Sequence, residues 1–135
     1  MAVQLSEDVR TARLEAIETA IGATAKLAIF SGAVPGDCAS GDPAGELARM
    51  TLPADYMNAA AAGTKTIKGA WTCSAAGAGL PGVALSFRIY ANDGTTCHIQ
   101  GTVGMGSGDL ALDNTSIASG QTVTVVTFTL TDGNA

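Results

Sequence analysis

The chain has 135 residues, which is most simply one domain and is long enough for a core that needs no disulfide or metal. Its net charge is −5 at pH 7, and its seven basic residues are dispersed. Because phosphate binding needs clustered lysine and arginine, this balance argues against a nucleic-acid partner. The basic residues are Arg10, Arg13, Lys26, Arg49, Lys65, Lys68 and Arg88.

The composition favours small side chains. Hydrophobic residues make up 47% of the chain but aromatic ones only 4%, so we predict a core of small and β-branched residues, as in thin packed sheets. Charged residues make up 14%, against about 25% in an average protein. A surface this poor in charge is typical of one that neighbouring subunits cover. No run reaches the roughly 18 apolar residues of a membrane span, and the first eight residues do not predict a secretory signal.

Residues 6–21 form the one segment with a clear helical pattern. Ser6 is a suitable N-cap and Gly22 a suitable C-terminal stop, so we predict an amphipathic helix between them. Its apolar strip either packs on the chain's own sheet or docks on a neighbouring subunit, and the sequence leaves both open. The strip consists of Leu14, Ile17 and Ile21.

Beyond residue 22 the pattern is that of short β-strands separated by turns. Asn92, Asp93 and Gly94 predict the turn of a hairpin, and a change of phase predicts a bulge near Val125. The fold class is therefore mainly β, an antiparallel β-sandwich of immunoglobulin-like or jelly-roll-like type with one N-terminal helix. The helical segment 1–22 and the sandwich 23–135 would form one structural domain. The predicted strands are residues 26–31, 47–52, 64–73, 83–90, 95–103 and 121–131.

The strand at residues 83–90 shows the clearest alternation, which predicts a half-buried strand. Its apolar face would carry Val83, Leu85, Phe87 and Ile89. Arg88 falls on the opposite face. We interpret it as a solvated residue, or alternatively as a partner in a salt bridge between subunits.

His98 is the only histidine and hence the only candidate for an imidazole base. Its neighbour Cys97 would point to the opposite face of a strand, so the two cannot act as nucleophile and base. We therefore predict no catalytic residue and no enzyme activity, with His98 as a surface or partly buried strand residue.

Two further segments are candidate ligand sites. Residues 109–114 lack the close alternation of Asp and Asn that a calcium loop needs. Residues 101–108 are rich in glycine but lack the lysine of a P-loop and do not match the dinucleotide fingerprint. We predict no metal, no cofactor-binding residue and no cofactor, and a mobile loop tip at the second segment.

Cys38, Cys73 and Cys97 make an odd count, and their spacing matches no metal site. Three reduced, buried thiols are the favoured interpretation, because a cytosol would keep them reduced during assembly. One disulfide with one free thiol is the alternative.

Several segments together resemble a group of small virion structural proteins of tailed bacteriophages. The resemblance covers nearly the whole chain and rests on strands and turns, which say little about a position in the particle. It is carried by residues 14–22, 26–32, 47–52, 87–96, 101–104 and 110–117.

The resemblance implies a β-sandwich present in many copies on a phage particle, where it decorates and cements the capsid shell. Its partners would be the major capsid protein or other virion proteins and sister copies in a homo-oligomer, with no nucleic acid and no membrane. We expect residues 1–22 to contribute to these contacts and to be removable without unfolding the sandwich. A tail, neck or fibre component that binds the host surface is the alternative, suggested by glycine-rich loops at 74–82 and 104–109.

Overall fold

The computed structural model describes residues 3–132 and contains one helix followed by ten strands. The expected mainly β fold with one N-terminal helix is confirmed. No helix among these residues has the length and apolar character needed to cross a membrane. The elements are α1 (Glu7–Ile21), β1 (Lys26–Phe30), β2 (Glu46–Thr51), β3 (Thr64–Thr66), β4 (Thr72–Ser74), β5 (Gly82–Val83), β6 (Ser86–Tyr90), β7 (Cys97–Gly104), β8 (Leu110–Leu112), β9 (Ser116–Ile117) and β10 (Thr122–Thr131).

Eight of the strands form one curled sheet in the order β2-β1-β6-β7-β8-β10-β3, with β4 also paired to β10. The remaining two, β5 and β9, pair with each other. The sheet is antiparallel except between β7 and β8, which run parallel. The curl brings β4 against β2, so the main core is enclosed between the two halves of the sheet, as in a sandwich.

Aromatic side chains occupy the middle of this core, although the composition predicted mainly small residues. The Trp71 ring lies 6.1 Å from that of Tyr56 and 5.9 Å from that of Phe128, between ring centroids. Phe128 in turn meets Phe87 edge-on at 5.5 Å. The buried indole N–H donates to the Tyr56 carbonyl at 3.0 Å, which satisfies its one polar atom. The few aromatic residues therefore supply the central contacts between the two halves of the sheet.

Residues 64–73 were predicted to form one strand, but they contain two short strands, β3 and the start of β4, which both pair with the long strand β10. That prediction is wrong in its continuity, because β3 and β4 are separate and Gly69 between them has φ +76°. The bulge predicted near Val125 is confirmed by the register shift between Val125 and Thr127. The shift leaves Val126 exposed and keeps Phe128 in the core.

The half-buried alternation predicted for residues 83–90 is wrong. Every residue of β6 is buried, because a loop covers its outer face, and this includes Arg88. Val83 and Leu85, expected in the core, are exposed, since the chain leaves the β6 register before Ser86 and pairs β5 with β9 instead. The strand is therefore shorter and more completely covered than the pattern indicated.

The hairpin predicted around Asn92, Asp93 and Gly94 is confirmed by the antiparallel pairing of β6 with β7. The Asp93 carboxylate accepts from the backbone N–H of Thr95 and of Thr96, each at 2.9 Å. Together with the Thr96 hydroxyl, the largest contributor, these donors lower the pKa of Asp93 to about 2. The turn is thus closed by a charged acceptor.

Asp93 is expected to make the free energy of unfolding depend on pH in the acid range. Because its pKa is lower in the folded than in the unfolded protein, its contribution is complete above about pH 4 and is lost as the pH falls through about 2. Urea unfolding of the wild type and of Asp93→Asn between pH 5 and pH 2 tests this. The stability difference between the two proteins should shrink across that range, and a difference independent of pH would contradict the assignment.

Candidate functional site

Helix α1 lies on the chain's own sheet, which decides between the two placements that the sequence left open. Its N-cap Ser6 accepts from the Val9 N–H, and the helix ends at Gly22, as predicted. Leu14 and Ile21 are buried, while Val9 on the outer side is 45% exposed. The apolar strip of the helix is therefore used within the subunit.

Lys65 of β3 lies beneath this helix and is only 1% exposed. Its Nζ is 2.8 Å from Glu18 Oε2, 3.1 Å from Glu15 Oε1 and 2.8 Å from the Asn58 carbonyl. Burial alone would lower the pKa of Lys65, but the two carboxylates raise it above its usual value. The three donors of the ammonium thus meet three acceptors, and none is left for a ligand.

The loop between β1 and β2, residues 31–45, folds back over the outer face of β6 and β7. We call it the cover loop. Arg88, 2% exposed, donates from Nη1 to the Ser40 carbonyl at 3.0 Å and to Asp42 Oδ1 at 3.1 Å. Its Nη2 donates to the Asp37 carbonyl at 3.1 Å. Arg88 was predicted to be solvated or to pair with another subunit. Both predictions are wrong, because the guanidinium is buried and donates hydrogen bonds to the cover loop of its own chain.

Other side chains of the same face support the cover loop. Gln100 accepts from Arg88 Nη2 at 3.0 Å and donates to the Pro35 carbonyl at 2.8 Å. The Tyr90 hydroxyl donates to Asp42 Oδ1 at 2.5 Å, and burial, followed by this bond, raises the pKa of Tyr90. Beneath the loop lies a second small apolar cluster, formed by Ala28, Phe30 and Tyr90 with Cys97 packed against it.

The glycine-rich loop 74–82 covers the outer edge of β2. Gly77 donates to the Leu47 carbonyl at 3.0 Å and Gly79 to the Glu46 carbonyl at 2.9 Å. A Cβ at Gly77 would lie 2.1 Å from the Glu46 oxygen, so only glycine permits this approach. The loop is therefore not a protruding recognition tip, and it closes a strand edge that would otherwise pair with other chains.

Large apolar side chains are exposed at the open end of the β6–β7 hairpin, the end opposite its turn. Val83 and Leu85 precede β6, and Met105 follows β7, the strand that pairs with it. Their exposed fractions are 55%, 50% and 63%. We call this set the apolar end. It includes the start of the loop at 104–109, of which residues 105–109 are exposed.

The structure does not bring the residues weighed for catalysis into one site. His98 is exposed on β7, while the Cys97 thiol points to the cover loop, so the two diverge as expected for strand neighbours. Asp109 accepts from the Thr102 N–H at 2.9 Å and closes its own loop. Among residues 3–132, no three His, Cys, Asp or Glu side chains converge as metal ligands would.

The cysteines differ from the expectation of buried thiols, because all three are partly exposed. Cys38 and Cys97 touch each other, with 2.8 Å between their sulfurs. Nothing in a spacing of 59 residues could have revealed this contact. The ion pairs of Lys65 were missed for the same reason, although Glu15 and Glu18 do share one helix face at i, i+3.

Comparison of the chain with protein-family models, with curated protein sequences and with solved structures finds no match.

Proposed function

We propose that this protein is a structural component of a tailed-bacteriophage particle that decorates and cements the capsid shell in many copies. The resemblance of its strands and turns to small virion proteins motivates the proposal. The observation that carries it is the apolar end, three exposed large apolar side chains on a scaffold whose two buried cations hold α1 and the cover loop in place.

Rigidity is supported by the way the two buried cations are used. Lys65 joins α1 to β3, and Arg88 joins the cover loop to β6 and β7. Each buried cation is surrounded by acceptors of the protein instead of water. Movement of α1 or of the cover loop would therefore leave a buried charge without partners. A protein that cements a shell needs such a fixed shape, because its contacts must be repeated identically in every copy.

Contact with neighbours is supported by the apolar end. Large exposed apolar side chains grouped together are typical of surfaces that bind other proteins. Three side chains give only a weak contact, so symmetric clustering of copies would supply the avidity. The apolar end thus fits sister copies or the major capsid protein as partners.

The alternative is a tail, neck or fibre component that binds the host surface. The loop at 104–109 favours it, because Met105 projects from a narrow glycine-rich turn. The loop at 74–82 does not, since it lies against β2.

Copy number distinguishes the two functions. Quantitative mass spectrometry of purified particles would compare this protein with the major shell protein. A copy number similar to that of the shell protein supports decoration. A handful of copies per particle contradicts it and favours the neck, tail or fibre.

Changing Leu85 and Met105 together to serine is expected to weaken attachment to particles at least about tenfold, since it removes two exposed apolar anchors. Folding should change little, because both side chains are exposed. Co-sedimentation of the protein with particles that lack it measures the affinity. Val9→Ser on the outer side of α1 is the control. If Val9→Ser alone abolished attachment to particles, the contact would lie on α1, and the proposed role of the apolar end would be contradicted.

A further inference from the structure

We propose that Cys38 and Cys97 form an intramolecular disulfide under oxidising conditions and so lock the cover loop onto β7. The Cys97 thiol donates to the Cys38 sulfur with 2.8 Å between the two atoms. An S–S bond is about 2.05 Å long, so a small adjustment of the two side chains is enough to reach it. This inference does not depend on the proposed function.

The cover loop holds Cys38 in place before any covalent bond forms. Arg88 Nη2 binds the carbonyl of Asp37, the residue next to Cys38 in the chain. On the other side, Gln100 joins β7 to the Pro35 carbonyl at 2.8 Å. The two thiols are thus brought together by hydrogen bonds that do not involve sulfur, and the crosslink requires no rearrangement of the loop.

Cys73 offers an internal comparison. It lies on β4, where its backbone neighbour is Val123 of β10, and its side chain packs against the main core. It therefore takes no part in the contact beneath the cover loop. Oxidation should pair Cys38 with Cys97 and leave Cys73 as a free thiol.

Oxidised glutathione serves as the oxidant in a balanced exchange. One cysteine attacks it as a thiolate, forms a mixed disulfide and releases one reduced glutathione. The second cysteine then loses its proton and displaces the second glutathione, so two thiols are oxidised and one disulfide is reduced. Burial and the hydrogen bond with Cys38 raise the pKa of Cys97, so we expect the crosslink to form faster as the pH rises from 7 to 9.

The crosslink would join residues 59 positions apart. Closing a loop of this length restricts the unfolded chain strongly, while the folded chain already has the two sulfurs in contact. We therefore expect oxidation to raise the Tm by about 10 °C. A cover loop fixed in this way would keep its shape outside a reducing cell interior.

The test uses the purified full chain, first reduced and then exposed to oxidised glutathione. The three cysteines fall in different tryptic peptides, residues 27–49, 69–88 and 89–135, so peptide mapping identifies the pair directly. The expected result is a link between the first and third peptides, one titratable thiol and the higher Tm. Cys73→Ser should behave like the wild type, apart from having no free thiol left.

Cys38→Ser and Cys97→Ser should each lose both the crosslink and the rise in Tm. Three titratable thiols after oxidation of the folded wild type would overturn the proposal, as would a crosslink that contains Cys73. A crosslink that leaves the Tm unchanged would show that the cover loop gains nothing from it and would overturn the proposed lock.

Discussion

Deleting residues 1–22 is expected to leave a chain that does not fold into a stable domain. The deletion removes Leu14 and Ile21 from buried positions, each worth about 1.5–3 kcal/mol of apolar burial. It also removes Glu15 and Glu18, so Lys65 loses both carboxylates and the ion pairs that join α1 to β3, and it becomes exposed to water together with the apolar surface that α1 covers. The two lost burials alone amount to about 3–6 kcal/mol, a large part of the roughly 5–15 kcal/mol that is the usual stability of a domain.

Circular dichroism and amide NMR spectra of the chain 23–135 measure this effect. Leu14→Ala in the full chain should lower the free energy of unfolding by about 2–5 kcal/mol. Val9→Ser, on the exposed side of the same helix, should change it by no more than about 0.5 kcal/mol. A truncated chain with dispersed amide signals and cooperative unfolding would show that α1 is an accessory. This expected result is the opposite of the sequence-based prediction that residues 1–22 can be removed without unfolding the sandwich, and the same measurement distinguishes the two.

Arg88→Ala is expected to lower the free energy of unfolding by about 3 kcal/mol and to release the cover loop. The substitution removes donors to Asp42, Gln100 and two loop carbonyls, in a place where water has little access. Denaturant unfolding measures the stability. Limited proteolysis with thermolysin measures the loop, and cleavage within residues 31–45 should become faster because the loop opens more often.

Arg13→Ala is the matched control. Arg13 also forms an ion pair, with Asp132 at 3.2 Å, but its side chain is 58% exposed and screened by water. Its loss should cost about 1 kcal/mol and should not expose the cover loop to protease. Equal effects of the two substitutions would contradict a special role for the buried guanidinium.

The cover loop is subject to two separate constraints. The guanidinium of Arg88 holds the cover loop through hydrogen bonds, and the proposed disulfide of Cys38 with Cys97 would hold the same loop through a covalent bond. A reduced Arg88→Ala variant is therefore expected to be the most mobile form and the oxidised wild type the least mobile.

The sequence by itself determined the features that depend on neighbouring residues. The helix is bounded by Ser6 and Gly22, whose capping acts within a single turn. The hairpin turn at Asp93 and the bulge after Val125 are likewise local, since turn chemistry and side-chain phase specify them. Together these patterns were enough to predict a mainly β chain with one N-terminal helix.

Only the tertiary structure decided which polar residues are buried and what they contact. Arg88 and Lys65 occur in segments that look exposed, and they become buried because the cover loop and α1 return over the sheet from distant parts of the chain. The contact of Cys38 with Cys97 also comes from the returning cover loop, whereas Leu85 is exposed because the chain leaves the β6 register before Ser86. Periodicity reports which face a side chain occupies, but what covers that face depends on contacts between residues far apart in sequence.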